Sequence, residues 1–201
     1  MGMNTRLVHP RAGHDPYGAV NVPIYQSSTF AFRNAAQGAA LFAGKEDGYI
    51  YTRIGNPTIR ALEDTVASLE GGFGGIATSS GLGAVAAVYM ALLEAGAHLV
   101  STASVYGPSR GLVEQHLTRF GVQSSYVDTA QPQNVEKALR PNTRLIYVET
   151  PSNPAMQVTD LRAVADIARG RDCVLAVDNT FASPYLQRPL ELGADVVLSR
   201  K

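Results

Sequence analysis

The sequence has little of what several protein classes require. Its 201 residues include one cysteine, Cys173, and no tryptophan, so no disulfide can form within the chain and a reducing compartment is expected. The 17 basic and 17 acidic residues cancel, which argues against a nucleic acid or an anionic membrane surface as the main partner. No apolar run is long enough to span a bilayer, and the first residues lack a signal-peptide pattern. A cytoplasmic globular protein is the expectation.

The sequence also lacks the patterns that are typical of metal sites and of triad hydrolases. The four histidines have no metal-ligand spacing, and no second cysteine joins them. No Ser-His-Asp order resembling a catalytic triad is present either. We therefore expect no metal site and no triad hydrolase.

The N-terminal region differs from the rest of the chain. Pairs such as His9-Pro10, Asp15-Pro16 and Val22-Pro23 indicate turns and extended chain, and no sustained period runs through Phe32. We predict an N-terminal arm over residues 1–58. Such an arm could lie over its own domain or clasp a second subunit.

An alternating pattern follows the arm. Asn56 and Pro57 predict a helix start, and Gly71-Gly72 predicts its end. Short apolar runs then alternate with helices, which predicts an α/β domain over residues 59–201, with a mostly parallel sheet covered by helices on both faces. The predicted strands are 75–78, 98–102, 122–127, 145–149, 174–177 and 196–198, and the predicted helices are 82–93, 112–117, 135–139, 161–168 and 186–192.

The helix predicted over Leu82–Leu93 carries no charge. A helix that is apolar on all sides must be buried on most of them. Packing within its own domain or against a second subunit would each explain this pattern.

Small, polar or aromatic residues follow four of the predicted strands. Ligands of open parallel sheets bind beyond the carboxyl ends of the strands, so these residues are the candidate site. They are Ser79-Ser80-Gly81, Val105-Tyr106-Gly107, Glu149–Pro154 and Asp178-Asn179-Thr180.

Ser80-Gly81-Leu82 lies where a helix is predicted to begin. The free backbone amides and the dipole of a helix start favour an anion such as phosphate, although Ser79 or Ser80 could simply cap the helix. The formal dinucleotide pattern Gly81-x-Gly83-x-x-Ala86 is a rival interpretation, but Ser101–Ser104 offers no carboxylate for a ribose. NAD is therefore disfavoured.

Four other residues each admit two interpretations. Asp178 could hold a cationic heterocycle nitrogen or form a turn with Asn179. Tyr106 could stack on an aromatic ring or be a loop aromatic, and Asn153 could contact a ligand oxygen or form a turn. Arg53 could bind phosphate or lie on the surface.

Together these segments resemble the Cys/Met-metabolism enzymes that use pyridoxal 5′-phosphate (PLP), over the N-terminal half of such enzymes. The family includes methionine γ-lyase, cystathionine γ-synthase and the homoserine-ester sulfhydrylases. The resemblance implies PLP-dependent transferase fold type I. It is carried by Pro23–Gln26, Tyr51–Thr58, Ser80–Leu82, Tyr106-Gly107, Glu149–Pro154, Asp178–Phe181 and Pro184–Leu190.

The resemblance assigns roles to single residues. Ser80 and the amides of Gly81 and Leu82 would hold the cofactor phosphate, and Tyr106 would stack on the pyridine ring and assist proton transfer. Asn153 would contact the ring 3′-oxygen, and Asp178, supported by Thr180, would keep the ring nitrogen protonated. Tyr51 and Arg53 would reach the phosphate site of a neighbouring subunit, so a homodimer or homotetramer is implied.

The implied reaction is β/γ-elimination or γ-replacement on methionine, cystathionine or an O-acyl-homoserine, through a lysine Schiff base. Pro108 stands where methionine γ-lyases carry cysteine, which favours a sulfhydrylase or a synthase.

The chain departs from the family pattern at its end. The family places the Schiff-base lysine in His-Ser-x-Thr-Lys, whereas this chain reads Leu198-Ser199-Arg200-Lys201. Lys201 arrives two residues early, and Ser199 aligns only with a gap. A truncated or frameshifted gene is the expectation, with Ser199 in the cofactor site and Lys201 as the candidate Schiff-base residue. The alternative is a catalytically inactive remnant of such an enzyme.

Overall fold

The computed structural model describes residues 2–9 and 18–200. The chain divides into two compact units, the first ending at Ala77 and the second beginning at Thr78. The domain limits expected from the sequence, 1–58 and 59–201, stay a prediction.

Three helices make up the regular structure of the described part of the first unit: α1 (Met3–Val8), α2 (Ala35–Phe42) and α3 (Pro57–Glu70). The start and end predicted for α3 are confirmed. The side chain of Asn56 accepts a hydrogen bond from the Thr58 amide, and Gly71 ends the helix in the left-handed conformation with φ of 78°. Only a glycine adopts that conformation without steric cost.

The start of α3 also holds the extended segment before it. The Thr58 hydroxyl donates to the carbonyl of Pro23 at 2.8 Å and accepts from the Tyr25 amide at 2.9 Å. The Asn56 side-chain amide donates to the carbonyl of Tyr25. These backbone groups of Pro23 and Tyr25 therefore find partners without forming a sheet.

Two expectations for the first unit are wrong. Residues 3–8 form helix α1, which packs on α3 and donates from Arg6 to the Ser68 hydroxyl, where extended chain and turns were expected. The run 75–78 is not a strand, because the Ala77 amide donates to the Glu63 carboxylate and Ile76 is 90% exposed. His9-Pro10 and Asp15-Pro16 lie wholly or partly outside the described residues.

A five-stranded parallel sheet forms the centre of the second unit, in the order β2-β1-β3-β4-β5. The strands are β1 (His98–Thr102), β2 (Gln123–Val127), β3 (Thr143–Glu149), β4 (Val174–Asp178) and β5 (Val196–Leu198). The helices are α4 (Gly81–Leu92), α5 (Gly107–Gly111), α6 (Pro132–Ala138), α7 (Leu161–Arg169) and α8 (Ser183–Leu186).

Alternate residues of the central strands pack on opposite faces of the sheet, as the pleat requires. Leu145 and Tyr147 belong to one buried cluster with Val85 and Tyr89 of α4. Ile146 and Val148 belong to the other cluster, with residues of α7. The α/β class predicted from the alternation of apolar runs is confirmed.

Two predicted helices are broken into shorter pieces. The segment after α5 continues as a π turn over Leu112–His116 and a 3₁₀ turn over Leu117–Phe120. The helix expected over 186–192 is α8 followed by a 3₁₀ turn, Pro189–Leu192, because a residue before proline avoids the helical conformation and Arg188 is extended.

Helix α4 is less buried than expected. Only Val85 and Tyr89 are fully buried, while Met90 is 67% exposed. The sheet covers one stripe of this helix, so the apolar residues on its other side lie at the surface of the chain.

His98 begins β1 and is completely buried. Its ring nitrogens lie 2.8 Å from the Thr143 hydroxyl and 2.9 Å from the Ser125 hydroxyl. Burial, helped by the positive charge of Arg140, lowers the pKa of His98 to about 4. The unfolded chain has an ordinary histidine pKa of about 6.5. At a pH between these two values, the unfolded chain therefore takes up a proton at His98, whereas the folded protein keeps this side chain neutral.

This difference predicts a specific loss of stability in acid. As the pH falls from 7.5 to 5, protonation of His98 in the unfolded state should reduce the free energy of unfolding by about 2 kcal/mol. Urea unfolding of His98→Gln at both pH values should show a pH-dependent loss smaller by that amount, whereas the exposed-histidine control His116→Gln should retain it. An unchanged loss in His98→Gln would refute this source of the pH dependence.

Candidate functional site

The carboxyl ends of three neighbouring strands bring acidic and aromatic residues together. Glu149 at the end of β3 pairs in register with Asp178 at the end of β4, and Asp178 pairs with Leu198 of β5. Because the strands are parallel, their ends meet at one edge of the sheet, where ligands of such sheets bind.

Asp178 is the acidic centre of this edge and is 2% exposed. One carboxylate oxygen, Oδ1, accepts hydrogen bonds from the amide and the hydroxyl of Thr180. The other, Oδ2, accepts from the Tyr147 hydroxyl at 3.2 Å and lies 3.8 Å from the guanidinium of Arg200. A buried carboxylate that is held by this many donors is suited to bind a cation.

The hydroxyl of Tyr147 supports the Asp178 carboxylate through a hydrogen bond. Burial, together with the negative charge of Asp178, raises the pKa of Tyr147 well above its usual value, so its hydroxyl keeps its proton and donates a hydrogen bond to Asp178. The Tyr147 ring packs edge-on against Tyr89 of α4, with 5.2 Å between the ring centres. Both side chains are fully buried, which fixes the position of the donor.

Tyr106 presents an exposed aromatic ring beside the same edge. The side chain is 40% exposed, and the backbone amide donates to Oε2 of Glu149 at 2.8 Å. Burial raises the pKa of Glu149, with Asp178 adding to the rise and the amides of Tyr106 and Asn153 opposing it. Glu149 therefore anchors the loop that carries the Tyr106 ring.

The start of α4 provides free backbone donors. Ser80 is the cap, since its hydroxyl oxygen accepts from the Gly83 amide at 3.0 Å and its carbonyl accepts from Ala84. Within the described residues, the amides of Gly81 and Leu82 have no hydrogen-bond partner. Two free amides at a helix start form a place for an anion.

One side chain shows how close these parts are. The guanidinium of Arg200 lies 4.1 Å from the centre of the Tyr106 ring and 3.8 Å from Asp178. Its stem passes so close to Gly81 that a Cβ built there would lie 2.7 Å from Cβ of Arg200. The helix start, the aromatic ring and the buried carboxylate thus surround a space that a single arginine side chain spans.

The hydrogen bonds and ring contacts described above do not involve the side chains of Asn153 or Ser199. Asn153 is exposed in the loop after β3, and Ser199 is exposed without a hydrogen bond to any described residue. Lys201 lies outside the described residues. Tyr51 and Arg53 belong to the first unit, where the Arg53 guanidinium stacks on the Tyr51 ring at 5.4 Å.

Sequence reasoning placed Glu149 in the candidate segment after a strand but gave it no role of its own, and it did not single out Tyr147 or Arg200 as site residues. Tyr147 looks like an ordinary residue of a buried strand, and Arg200 is distant in sequence from both groups that it contacts.

The arrangement suits a planar, cationic heterocycle with an anionic tail. The buried carboxylate would pair with the ring nitrogen, the tyrosine would stack on the ring, and the free amides would hold the tail. The part of the chain that the structure describes contains no cluster of three metal-ligating side chains. No helix among those residues is long and apolar enough to cross a membrane.

Comparison with known proteins identifies a cofactor that has these properties. Residues 4–200 match the model of the family described as Cys/Met metabolism PLP-dependent enzyme. L-methionine γ-lyase of Treponema denticola is 48% identical over 200 residues, which are 98% of this chain and 50% of that protein. Cystathionine γ-lyase of Bacillus subtilis is 47% identical over 199 residues, again covering 98% and 50%. The chain therefore spans about half the length of these relatives.

Solved structures of other proteins are similar to this chain over nearly its whole length. The metB protein of Corynebacterium glutamicum has a TM-score of 0.90 at 46% identity, covering 99% of this chain and 50% of that one. A Campylobacter jejuni structure that carries N′-pyridoxyl-lysine-5′-monophosphate has a TM-score of 0.93 at 32% identity, covering 100% of this chain and 50% of that one.

Proposed function

The chain belongs to the Cys/Met metabolism PLP-dependent enzyme family, and we propose from this premise that it binds PLP and serves trans-sulfuration chemistry. The reaction would be β/γ-elimination or γ-replacement on methionine, cystathionine or an O-acyl-homoserine. The named activities of the relatives, methionine γ-lyase and cystathionine γ- and β-lyase, support this substrate class.

The observation that carries the proposal is the buried Asp178 carboxylate, which lies close to the Tyr106 ring and to two free helix amides. Asp178 would hold a proton on the pyridine nitrogen, since a nearby negative charge raises the pKa of a basic nitrogen. When bound, PLP supplies an electron-accepting ring that stabilises negative charge on the substrate carbon. Thr180 and Tyr147 keep Asp178 in place through the hydrogen bonds to its two oxygens.

We assign the remaining contacts from the family resemblance, and the free amides at the start of α4 support the first of them. The amides of Gly81 and Leu82 would bind the phosphate, with Ser80 holding the helix start that presents them. The Tyr106 ring would stack on the cofactor, and its hydroxyl would move a proton at the substrate. The side chain of Asn153 would contact the ring 3′-oxygen.

We also propose roles for Lys201 and Ser199. Lys201 would supply the side-chain amine that holds the cofactor, and Ser199 would lie in the same site. Both assignments rest on the family resemblance alone.

Self-association is also proposed. In a homodimer or homotetramer, Tyr51 and Arg53 of one copy would reach the phosphate site of another. The exposed residues on the outer side of α4, Met90 among them, support the idea that a second copy covers this helix. The chain would act in the cytoplasm, as its single buried cysteine suggests.

A pair of ligands tests the cofactor site without lysine chemistry. Pyridoxine 5′-phosphate and pyridoxine both lack the aldehyde, so they bind without reacting with lysines. Calorimetric titration of the purified chain should show that the phosphate ester binds at least roughly tenfold more tightly, because charge-assisted hydrogen bonds hold its phosphate. Equal affinity, or no binding of either ligand, would refute the proposed site.

A further inference from the structure

Arg200 fills the space in which the proposed function places the cofactor ring. Its guanidinium is planar and positively charged, as a protonated pyridine ring is. It lies over the Tyr106 ring at 4.1 Å and pairs with Asp178 at 3.8 Å. These are the two contacts that the cofactor ring would make.

The arginine is held along its whole length. The Arg200 amide donates to the Thr180 hydroxyl at 3.2 Å, next to the Asp178 carboxylate. Its stem lies against Gly81, where a Cβ would come within 2.9 Å of Cγ. Its side chain is only 21% exposed, so most of it lies against the residues of the site.

The same carboxylate cannot pair fully with two cations in one small space. A ligand ring nitrogen that approaches Asp178 must take the place of the Arg200 guanidinium, and a ring that stacks on Tyr106 must displace the group already lying there. We propose that Arg200 is an internal ligand of this site, which binds the Tyr106 ring and Asp178 in competition with the cofactor ring and so lowers the cofactor affinity. This inference rests on the proposed function.

The competition predicts an increase in affinity when a positive charge is removed. For Arg200→Ala, pyridoxine 5′-phosphate should bind roughly fivefold to thirtyfold more tightly than for the unmodified chain, which corresponds to the loss of one cation–π contact and one partly buried ion pair. Simple electrostatics predicts the opposite, since the ligand is an anion. Arg200→Lys, which keeps the charge without the planar group, should bind with an intermediate affinity and guards against misfolding of the alanine variant.

A matched control separates this effect from a general change of charge. Arg169→Ala removes an exposed arginine of the same unit, whose partner is Asp166, and should leave the affinity within about twofold. Ethylguanidinium should compete with pyridoxine 5′-phosphate in Arg200→Ala, because the vacated space accepts its planar cation.

The outcomes separate the two ideas. Tighter binding by Arg200→Ala, reversed by ethylguanidinium, supports both the site and the internal ligand. Equal or weaker binding by Arg200→Ala overturns the internal ligand and leaves the proposed function standing. No binding by any variant overturns both.

Discussion

Replacing Asp178 with asparagine should weaken the binding of pyridoxine 5′-phosphate by roughly 10- to 100-fold, since a charge-assisted hydrogen bond to a buried carboxylate contributes about 1.5–3 kcal/mol. Asparagine keeps the shape of the side chain and an oxygen that accepts from Thr180, and the Tyr147 hydroxyl, which donates to the other oxygen of Asp178, can turn to accept from the new amide group. The fold should therefore survive while the negative charge is lost. Calorimetric titration at constant pH measures the change.

Asp166→Asn is the matched control for this result. Asp166 is an exposed carboxylate on α7, paired with Arg169 at 2.7 Å, and its replacement changes the net charge by the same amount. Its affinity should stay within about twofold of the unmodified chain. If both variants bind equally well, the ring nitrogen does not lie against Asp178.

The second large effect concerns the stability of the sheet. Ile146 lies in the central strand β3, is completely buried and belongs to the cluster that α7 covers. Ile146→Ala should lower the free energy of unfolding by about 2–5 kcal/mol, because it removes buried methyl groups and leaves a cavity. Urea unfolding followed by circular dichroism measures this change.

Ile76→Ala makes the same chemical change at a position that is 90% exposed. Its effect should lie within about 0.5 kcal/mol of zero. A similar cost for both variants would contradict the description of β3 as the centre of the core.

Local signals were enough to predict much of this fold. Helix α3 begins and ends where Asn56, Pro57 and Gly71 predict, because caps act through neighbouring backbone groups. The central strands β1, β3 and β4 were predicted from short apolar runs, because strands buried on both faces need continuous apolar sequence.

The errors arose where distant contacts decide the structure. The run 75–78 has the composition of a strand, but the Glu63 carboxylate takes the Ala77 amide and no pairing strand is present among the described residues. Helix α1 has six residues, too few to show a period, and its packing on α3 stabilises it.

In the candidate site, too, local signals could be predicted from the sequence and distant contacts could not. Sequence reasoning singled out Asp178, Tyr106 and the start of α4, because each lies at or shortly after the end of a predicted strand or begins a helix. It could not show that Tyr147 donates to Asp178, since this contact joins residues 31 positions apart. The position of Arg200 between Tyr106 and Asp178 likewise depends on tertiary packing.

The most direct test of the site is the protonation state of a bound ring. Pyridoxine 5′-phosphate labelled with ¹⁵N at the ring nitrogen can be followed by NMR in the presence of the whole chain, at a pH above the pKa of the free ring nitrogen. A buried anion at the nitrogen should keep the bound ring protonated there, and Asp178→Asn should abolish that protonation. A bound ring that loses its proton at the same pH as the free ligand would contradict the account.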